Sequence, residues 1–400
     1  MKHILTTLIC LMLLITACEN KKVSFSLEDY LHVIDLNKTE FVDIKLSELF
    51  ASVTPIVLET TKESLIGNIS KAVITPEYII VFDASVAKAL FLFRKDGTFL
   101  HKFGRVGNGP GEYSHIASFC YDNATGTIYM LDFHTNNVNL YDIHTGEFLK
   151  SIKLKNDNGF SQSIYYHAGE LYTGLSNFTN NNEKKLLNRR NQATGSIEKS
   201  WFDLEIYSKN IDYIGTNPFL FGDGNSFKFH TFFMDGIMSV EKGKITPFLT
   251  FTPEYTLENN DLNSLNLDNI ALEFYTKLPK TNKVFNINTY FEHKNLLFLQ
   301  FNLSSVFPQT LIYNQKTKDF RVGKTLDDIL FEETAPYYFP QFVAYDDNGL
   351  YARFGYNEMN ILKNNLEKDF VSEGFKKTAI KLANLEKDAN PVLLYYEFKD

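Results

Sequence analysis

Residues 79–83 read Ile79-Ile80-Val81-Phe82-Asp83, and residues 128–132 repeat the pattern as Ile128-Tyr129-Met130-Leu131-Asp132. In each copy a short apolar run ends in aspartate. A glycine-led turn follows both copies at the same distance, as Gly97-Thr98-Phe99-Leu100 and as Gly146-Glu147-Phe148-Leu149. A unit of several strands that repeats at about 40 to 50 residues is typical of a radial stack of small sheets, because one unit cannot bury its apolar faces alone.

Looser copies of this unit follow the first two, which are centred on residues 78–103 and 119–154. They are apolar runs of strand length separated by turn residues, at 164–202, 227–251, 296–320 and 342–362. The sequence therefore predicts an all-β fold, a six-bladed β-propeller of four-stranded antiparallel blades over residues 41–400. The 36 Phe and 22 Tyr residues suit sheets that pack face to face.

Two segments depart from the strand pattern. Residues from Leu257 to Leu278 and from Leu366 to Leu385 space their apolar residues like amphipathic helices, which we interpret as short insertions between strands. The chain then ends in an apolar run from Pro391 to Phe398. Because a ring must be closed, we expect this last strand to share a sheet with an N-terminal strand, either Phe41–Leu46 or Ile56–Leu58.

Residues 1–17 predict a secretory signal peptide, with Lys2 ahead of an apolar stretch that is too short to anchor the chain in a bilayer. The end of this stretch, Ile15-Thr16-Ala17-Cys18, resembles the lipobox of bacterial lipoproteins. We therefore expect Cys18 to carry the lipid, residues 18–40 to form the anchor and tether, and the membrane to be a partner. The alternative is an ordinary signal peptide, beside which Cys18 has no role.

Charge and cysteine usage narrow the function classes. The net charge of −8 opposes a general affinity for nucleic acid or for anionic lipid surfaces, so no nucleic-acid partner is expected. Of the three cysteines, Cys120 is the one expected to remain in the folded domain, which excludes an internal disulfide. We interpret Cys120 as a small buried strand residue; a reactive thiol is the alternative that no nearby motif supports.

The link between the first two units reads Phe103-Gly104-Arg105-Val106-Gly107-Asn108-Gly109-Pro110-Gly111-Glu112-Tyr113. With the strand-Asp and hairpin-Gly signals around it, it resembles the NHL-like six-bladed β-propeller lipoproteins of Gram-negative envelopes, in which a glycine-rich loop links successive blades. The resemblance is specific over Pro55 to Leu154 and returns at Asn390-Pro391-Val392-Leu393. It implies a lipid-anchored propeller of the cell envelope, at the outer membrane and facing the periplasm or the surface, and it supplies no catalytic motif.

Loops between rigid sheets are where propellers place function, and this nominates a candidate binding loop. Its residues are Arg105, Asn108, Glu112, Tyr113 and His115. Its glycines can cradle an anion with their N–H groups, but the loop lacks the Lys-Ser/Thr of a phosphate loop. The interpretation that we favour is structural, a tight crossing between blades in which Glu112 and Tyr113 fix the turn.

Asp83 and Asp132 occupy the same place in two blades and, with His134, form a weak candidate metal site. Carboxylates that face the ring axis can hold a divalent cation. The structural alternative, which we favour, is that each Asp accepts hydrogen bonds from the backbone of the following turn. His115 and His134 are separated in sequence but a blade fold can bring them together. No cofactor is predicted beyond this possible divalent cation in the central channel.

The sequence favours a binding or scaffold module for an unidentified peptide, glycan or protein partner, since it contains no Gly-x-Ser-x-Gly, His-Glu-x-x-His or dinucleotide-binding pattern. The alternative is a metal-dependent propeller hydrolase or lyase that acts on a lactone or sugar acid in the central funnel. That alternative predicts carboxylate, Asn and His side chains converging at one mouth of the channel. An enzyme is therefore the less favoured of two open interpretations.

Overall fold

The computed structural model describes residues 25–155, 161–175, 185–203, 219–220, 226–231, 234, 236–258, 261, 264, 266, 269–305, 307–332, 338–386 and 388–399. The predicted signal peptide, Cys18, the first part of the tether and most of the Asn180–Lys185 loop lie outside these residues. Within them no helix is long and apolar enough to cross a membrane.

The fold is the predicted six-bladed β-propeller of four-stranded antiparallel sheets. We call the strands of each blade A to D from the axis outward. Blade 1 contains Lys71–Ile74, Tyr78–Asp83, Ala89–Arg94 and Phe99–Lys102. Blade 2 contains Ile116–Asp122, Thr127–Asp132, Asn137–Asp142 and Phe148–Lys153. Blade 3 contains Ser161–His167, Glu170–Leu175, Lys185–Arg190 and Ile197–Asp203.

The second half of the ring follows the same order. Blade 4 contains Phe219–Leu220, Phe227–Phe229, Gly236–Glu241 and Lys244–Phe251. Blade 5 contains Asn286–His293, Leu296–Asn302, Gln309–Asn314 and Phe320–Gly323. Blade 6 contains Gln341–Asp346, Gly349–Phe354, Val392–Phe398 and Phe50–Val57. Short two-stranded pairs join Ile44–Lys45 to Thr325–Leu326 and Arg105–Val106 to Glu112–Tyr113.

The repeated hairpin glycines are required by close packing between blades. Gly97 and Gly146 lie in the C–D turns of blades 1 and 2 with φ of 92° and 72°, which favours glycine. A Cβ atom on Gly97 would lie 2.1 Å from the carbonyl oxygen of Val57, and one on Gly146 would lie 2.7 Å from the His101 ring. Each glycine thus lets its hairpin contact strand D of the preceding blade, which explains why the signal recurs at the same spacing.

The ring is closed as predicted, by strands from both ends of the chain. Val392–Phe398 pairs antiparallel with Phe50–Val57, and Leu393 lies opposite Ile56. Asn390 supports this junction, because its side chain donates to the carbonyl oxygens of Glu59 and Ser64 at 2.9 and 2.7 Å and accepts from the N–H of Ile66 at 2.8 Å. Of the two N-terminal candidates, the one around Ile56 is the partner.

Two sequence expectations need correction at the N-terminal side and in blade 6. We expected the tether to reach residue 40, but His32–Ile34 pairs in parallel with Lys244–Phe251 as a fifth strand of blade 4. Its alternating side chains His32 and Ile34 are buried, so the strand belongs to the domain. We also expected the sixth unit to run on through Met359 to Leu362 as strand, whereas these residues are helical.

The structure describes α-helices at Ile270–Thr276 (α1), Tyr356–Glu367 (α2) and Glu373–Ala383 (α3), and 3-10 helices at Leu27–Asp29, Leu36–Lys38, Leu46–Glu48, Pro253–Tyr255 and Leu278–Thr281. Within the segment predicted as one helix, Leu366–Leu385, helix α3 covers Glu373–Ala383, whereas Leu366 and Glu367 are the last residues of α2, which the sequence did not predict. Asp369, which has a φ of 57°, lies between the two helices. Helices α2 and α3 bury Leu362, Phe375 and Leu382 against blades 5 and 6. Both lie between strands B and C of blade 6, so the prediction of helical insertions holds.

The apolar core lies between neighbouring blades, as for the cluster that joins blades 1 and 2 around Phe82, Phe119 and Met130. The A strands of neighbouring blades contact one another around the axis. This placement corrects the strand order expected from the sequence, because Asp83 and Asp132 end strand B of their blades and not the innermost strand. Their carboxylates therefore do not face the axis.

Candidate functional site

The two faces of the propeller differ in which connections they carry. The A–B turns, such as those at residues 75–77, 123–126 and 347–348, and the C–D turns lie on one face, which we call the hairpin face. The B–C turns and the connections between blades, including residues 103–115, lie on the other, which we call the loop face. This division follows from antiparallel pairing, since alternate strand ends meet at the same edge of each sheet.

A cavity of about 690 Å³ lies on the axis at the hairpin face. We call it the channel cavity. It is lined by the A strands of four blades and by the turns that follow them: Lys71, Ala72, Val73, Ile74, Thr75, Pro76, Lys95, Cys120, Tyr121, Asn123, Tyr165, Tyr166, Ala344, Tyr345, Asp346, Asp347 and Asn348. Its volume is within the range of small-molecule sites, about 300 to 1,000 Å³.

Two lysines line the channel cavity, Lys71 and Lys95, and Lys71 lies farther from the rim. It begins strand A of blade 1, four positions before Thr75 in the turn at the rim. Its Nζ donates a hydrogen bond to the carbonyl oxygen of Phe119 at 2.8 Å and lies 4.8 Å from the centre of the Phe119 ring. Burial lowers the pKa of this amine from 10.5 to about 8. The side chain therefore bridges blades 1 and 2 and is held in a conformation that brings its charge to the cavity wall.

Cys120 is the titratable side chain that acts on Lys71. Burial raises the pKa of the Cys120 thiol to about 12, although the Lys71 charge opposes this rise. The thiol is therefore neutral near pH 7 and does not balance the ammonium charge. The sequence interpretation of Cys120 as a small buried strand residue is confirmed, since the side chain is only 4 % exposed.

Tyrosines from three blades give the channel cavity its aromatic character. They are Tyr121 in blade 2, Tyr165 and Tyr166 in blade 3, and Tyr345 in blade 6, all partly exposed. The Tyr166 ring stacks on Tyr129 with centroids 4.8 Å apart and an angle of 17° between the planes. Because a tyrosine presents both a flat apolar face and a hydroxyl group, such a wall can hold ligands that are partly apolar and partly polar.

A second cation of the channel cavity is already paired. Lys95, from the C–D turn of blade 1, lies 3.5 Å from Oδ2 of Asp346 and donates to the hydroxyl oxygen of Tyr351 at 3.1 Å. The Tyr351 hydroxyl in turn donates to Oδ2 of Asp346 at 2.6 Å. These three side chains join blade 1 to blade 6, and the charges of Lys95 and Asp346 balance each other.

The predicted binding loop lies on the loop face and is held by its own hydrogen bonds. The Glu112 carboxylate accepts from Nε of Arg105 at 2.6 Å and from the N–H of Gly109 at 2.7 Å, and these bonds lower the pKa of Glu112. Tyr113 is buried, whereas the Arg105 side chain is 82 % exposed. The geometry agrees with the structural interpretation of Glu112 and Tyr113, and Asn108 and Arg105 remain at the surface as predicted binding residues.

Asp83 and Asp132 act as hydrogen-bond acceptors for the backbone, as the structural interpretation predicted. Asp83 accepts the N–H groups of Gly67, Asn68, Ser85, Val86 and Ala87 at 2.8 to 3.1 Å. Burial opposes ionisation of Asp83, but these bonds outweigh it and lower its pKa. Asp132 likewise accepts from the N–H of Ser114 at 2.8 Å and from the N–H of His134 at 3.2 Å. Each carboxylate fastens a connection between blades to the end of strand B.

His115 and His134 do meet on the loop face, with ring centroids 5.6 Å apart. Desolvation and the neighbouring His134 lower the pKa of His115, so this ring is less readily charged than a free imidazole. Within the described ranges no three His, Cys, Asp or Glu side chains are grouped so that they can hold a metal ion. Asp83, Asp132 and His134 do not line the channel cavity, and a divalent cation in the channel stays a prediction.

The comparisons with known proteins agree with this architecture. A family profile described as "Domain of unknown function (DUF4934)" matches residues 31–397. The chain belongs to the DUF4934 family. The profile begins at the fifth strand of blade 4 and ends within the strand that closes the ring, so this family is defined by the complete propeller. No curated protein matches the sequence at a significant level.

Solved structures resemble this DUF4934 chain over most of its length. A Bacteroides fragilis protein described as exported superposes with a TM-score of 0.70 at 19 % identity, covering 90 % of this chain and 100 % of that one. A member of the DUF4221 family from Bacteroides vulgatus superposes with a TM-score of 0.52 at 11 % identity, covering 87 % of this chain and 98 % of that one. At these identities the likeness shows the fold.

The sequence analysis placed the substrate of the enzyme alternative in the central funnel but did not identify Lys71 or the tyrosines that line the channel cavity. Lys71 lies in a strand that is otherwise apolar, Lys71-Ala72-Val73-Ile74, and a cation in an innermost strand was the available signal. Tyr166 and Tyr345 lie in blades whose repeats are weak, where the sequence did not establish which residues face the axis. The loop that the sequence nominated and the cavity that the structure contains are on opposite faces.

Proposed function

We propose that this chain is an exported, non-enzymatic binding module that takes its ligand in the channel cavity. The observation that carries the proposal is the cavity itself, about 690 Å³ of space walled by tyrosines and an ammonium group. A concave site that mixes aromatic surface with a few polar groups is the usual form of a ligand site. The ligand is a small molecule or the end of a peptide, glycan or protein partner that enters from the hairpin face.

Two features support the hairpin face over the loop face. The loop that links blades 1 and 2 directs the Glu112 carboxylate to its own residues and leaves Arg105 extended in solvent. The loop face also has a cavity, but it is smaller, about 290 Å³, and one of its lining side chains, Arg353, is bonded to Asn68 at 2.8 Å. A rigid site binds a ligand best where its polar groups are held in position and can still form hydrogen bonds to that ligand.

The cellular setting belongs to the same proposal. We infer that Cys18 is lipidated and that the propeller hangs from the outer membrane, facing the periplasm or the surface, as the lipobox pattern Ile15-Thr16-Ala17-Cys18 and the resemblance to NHL-like lipoproteins imply. Mass spectrometry of the mature N-terminus tests this. A Cys18→Ala variant is expected to leave the membrane fraction, and a variant that remains membrane-bound would contradict lipid anchoring.

Binding is tested by a thermal-shift screen of a defined panel of sugars, sugar acids, aromatic acids and dipeptides. A ligand of the channel cavity is expected to raise the melting temperature of the wild-type protein and to do so less for Tyr166→Ala and Tyr345→Ala. A pull-down from envelope extract with the same proteins covers larger partners. If replacement of residues 108–113 abolishes binding and both tyrosine variants retain it, the site is on the loop face and the proposal is wrong.

A further inference from the structure

The ammonium group of Lys71 is unusual in this molecule because no carboxylate balances it. The described residues place no Asp or Glu within salt-bridge distance of its Nζ, and its neighbours are a carbonyl oxygen, an aromatic ring and the neutral thiol of Cys120. A buried charge is costly unless it is paired and hydrogen-bonded. Among the residues that the structure describes, Lys71 is therefore a charge without a carboxylate partner.

Lys228 shows what a balanced lysine looks like in the same fold. It is also buried, at 5 % exposure, and its Nζ lies 4.3 Å from the centre of the Phe248 ring, much as Lys71 lies over Phe119. The difference is that Glu292 lies 3.3 Å from Nζ of Lys228. The fold can thus supply a carboxylate to an interblade lysine, whereas at Lys71, which lines the channel cavity, the described neighbours are a carbonyl oxygen and an aromatic ring.

We propose that the ligand of the channel cavity presents a carboxylate, carried on a six-membered ring, to the ammonium group of Lys71. The carboxylate supplies the counter-charge, and the ring packs against the tyrosine wall of which Tyr166 is part. Attraction of an anion by the whole protein is excluded as the cause, since the net charge is −8. This inference rests on the proposed function, because it specifies the chemistry of the same site.

Two sources of such a group fit the cavity, a sugar acid and an aromatic acid. The test uses two matched pairs of probes, glucuronate with glucose and benzoate with benzyl alcohol. Within each pair the change is from a carboxylate to a hydroxymethyl group on the same ring. Isothermal titration at constant ionic strength is expected to show that the acid of at least one pair binds about tenfold more tightly than its neutral partner.

Lys71→Met is expected to bring the affinities of that pair to within about twofold of each other, because the variant removes the charge but keeps the length of the side chain. Lys95→Met removes an ammonium group that Asp346 already pairs, so most of the preference should survive. Unfolding curves establish that both variants fold. An equal loss in the two variants would show general electrostatic attraction and would overturn the assignment to Lys71.

The remaining outcomes separate this inference from the proposed function. If acid and neutral probes bind wild type equally, or if Lys71→Met retains the preference, the inference is overturned while binding in the cavity stands. If a dipeptide carboxylate binds more tightly than both ring acids, the proposal that the ligand carries a six-membered ring is wrong, while binding in the channel cavity stands. If none of these probes binds and no member of the wider panel shifts the melting temperature, the inference and the proposed function fall together.

Discussion

Charged groups on the loop face and in the channel cavity have different partners. On the loop face, Asp83, Asp132 and Glu112 each accept several hydrogen bonds from the backbone or from a neighbouring side chain, so their charges hold connections in place. In the channel cavity, Lys71 contacts a carbonyl oxygen and an aromatic ring, and no described carboxylate lies within salt-bridge distance of it. The charges of the loop face thus stabilise the fold, whereas the ammonium group of Lys71 in the channel cavity can still pair with a carboxylate of a ligand.

The largest effect is expected from Asp83→Ala on the loop face. The variant leaves five backbone N–H groups without their acceptor at a fully buried site, and we expect the free energy of unfolding to fall by about 3 kcal/mol or more. Urea denaturation measures the change. Asp347→Ala, at the exposed rim of the channel cavity, is the control and should change stability by less than about 0.5 kcal/mol. If Asp83→Ala and Asp347→Ala lower the free energy of unfolding equally, the carboxylates of the loop face have no special role in stability.

Lys71→Met is expected to raise the free energy of unfolding, the opposite of the effect of Asp83→Ala. Because burial lowers the pKa of Lys71 from 10.5 to about 8, the unfolded chain binds this proton more tightly than the folded chain between those pH values. Lys71 should therefore contribute a rise in wild-type stability with pH from about 8 to 10.5, and the variant should lack this contribution. At pH 7 the loss of this penalty should make the variant more stable by up to about 3 kcal/mol.

The measurement for this prediction is urea denaturation of both proteins across the pH range. Phe119 offers Lys71 a carbonyl oxygen, which carries no charge. The Cys120 thiol, whose pKa burial raises from 9.0 to about 12, contributes a fall in stability above about pH 9 in both proteins, so the difference between their curves reports Lys71. Lys95→Met is the matched control and should give no gain, since it breaks the pair with Asp346. If Lys71→Met is less stable than the wild type at pH 7, the ammonium group stabilises the fold. Lys71 would then not differ from the charged groups of the loop face.

Tyr166→Ala tests the aromatic wall. Losing the ring that stacks on Tyr129 should weaken binding of the tightest probe about tenfold, equivalent to about 1.4 kcal/mol, while the fold is retained. Titration calorimetry compares it with Arg105→Ala, whose side chain extends from the loop face and should leave the affinity unchanged. The reverse pattern would move the binding site to the loop face.

The smallest effect is expected from Glu112→Gln. The amide keeps one acceptor oxygen but loses the charge that Arg105 and the N–H of Gly109 share. We expect little change in melting temperature and faster tryptic cleavage after Arg105, because the loop opens locally without unfolding its blades. Unchanged cleavage would show that the backbone pairing of Arg105–Val106 with Glu112–Tyr113 is sufficient to hold the loop.

The sequence predicted the blade number and the closure because the signals for both are local and repeated. Strand-length apolar runs and glycine turns such as Gly97 and Gly146 are needed wherever a hairpin contacts the preceding blade. The fifth strand of blade 4 was missed because three residues, His32–Ile34, are too few to show an alternating pattern. The break between α2 and α3 at Asp369 was missed because its cause is a single left-handed residue inside a continuous amphipathic pattern.

The candidate site was less predictable, since it is made by residues that are far apart in sequence. Asp83 and Asp132 could be interpreted correctly because each bonds to turns near it. The channel cavity combines residues near Lys71, Cys120, Tyr166 and Tyr345, and their convergence depends on the ring being closed. No local pattern states which strand of a blade is innermost, and this is why the sequence directed attention to the loop face.

The closure of blade 6 has a consequence for how the chain is made. A ribosome releases Phe50–Val57 long before its partner Val392–Phe398, so the pairing of these two strands must wait until all five intervening blades have been made. Until then blades 1 to 5 form an open arc with an unpaired edge at each end, the kind of edge that invites intermolecular pairing. A premature stop before residue 392 therefore removes one strand of blade 6 and leaves the whole ring open.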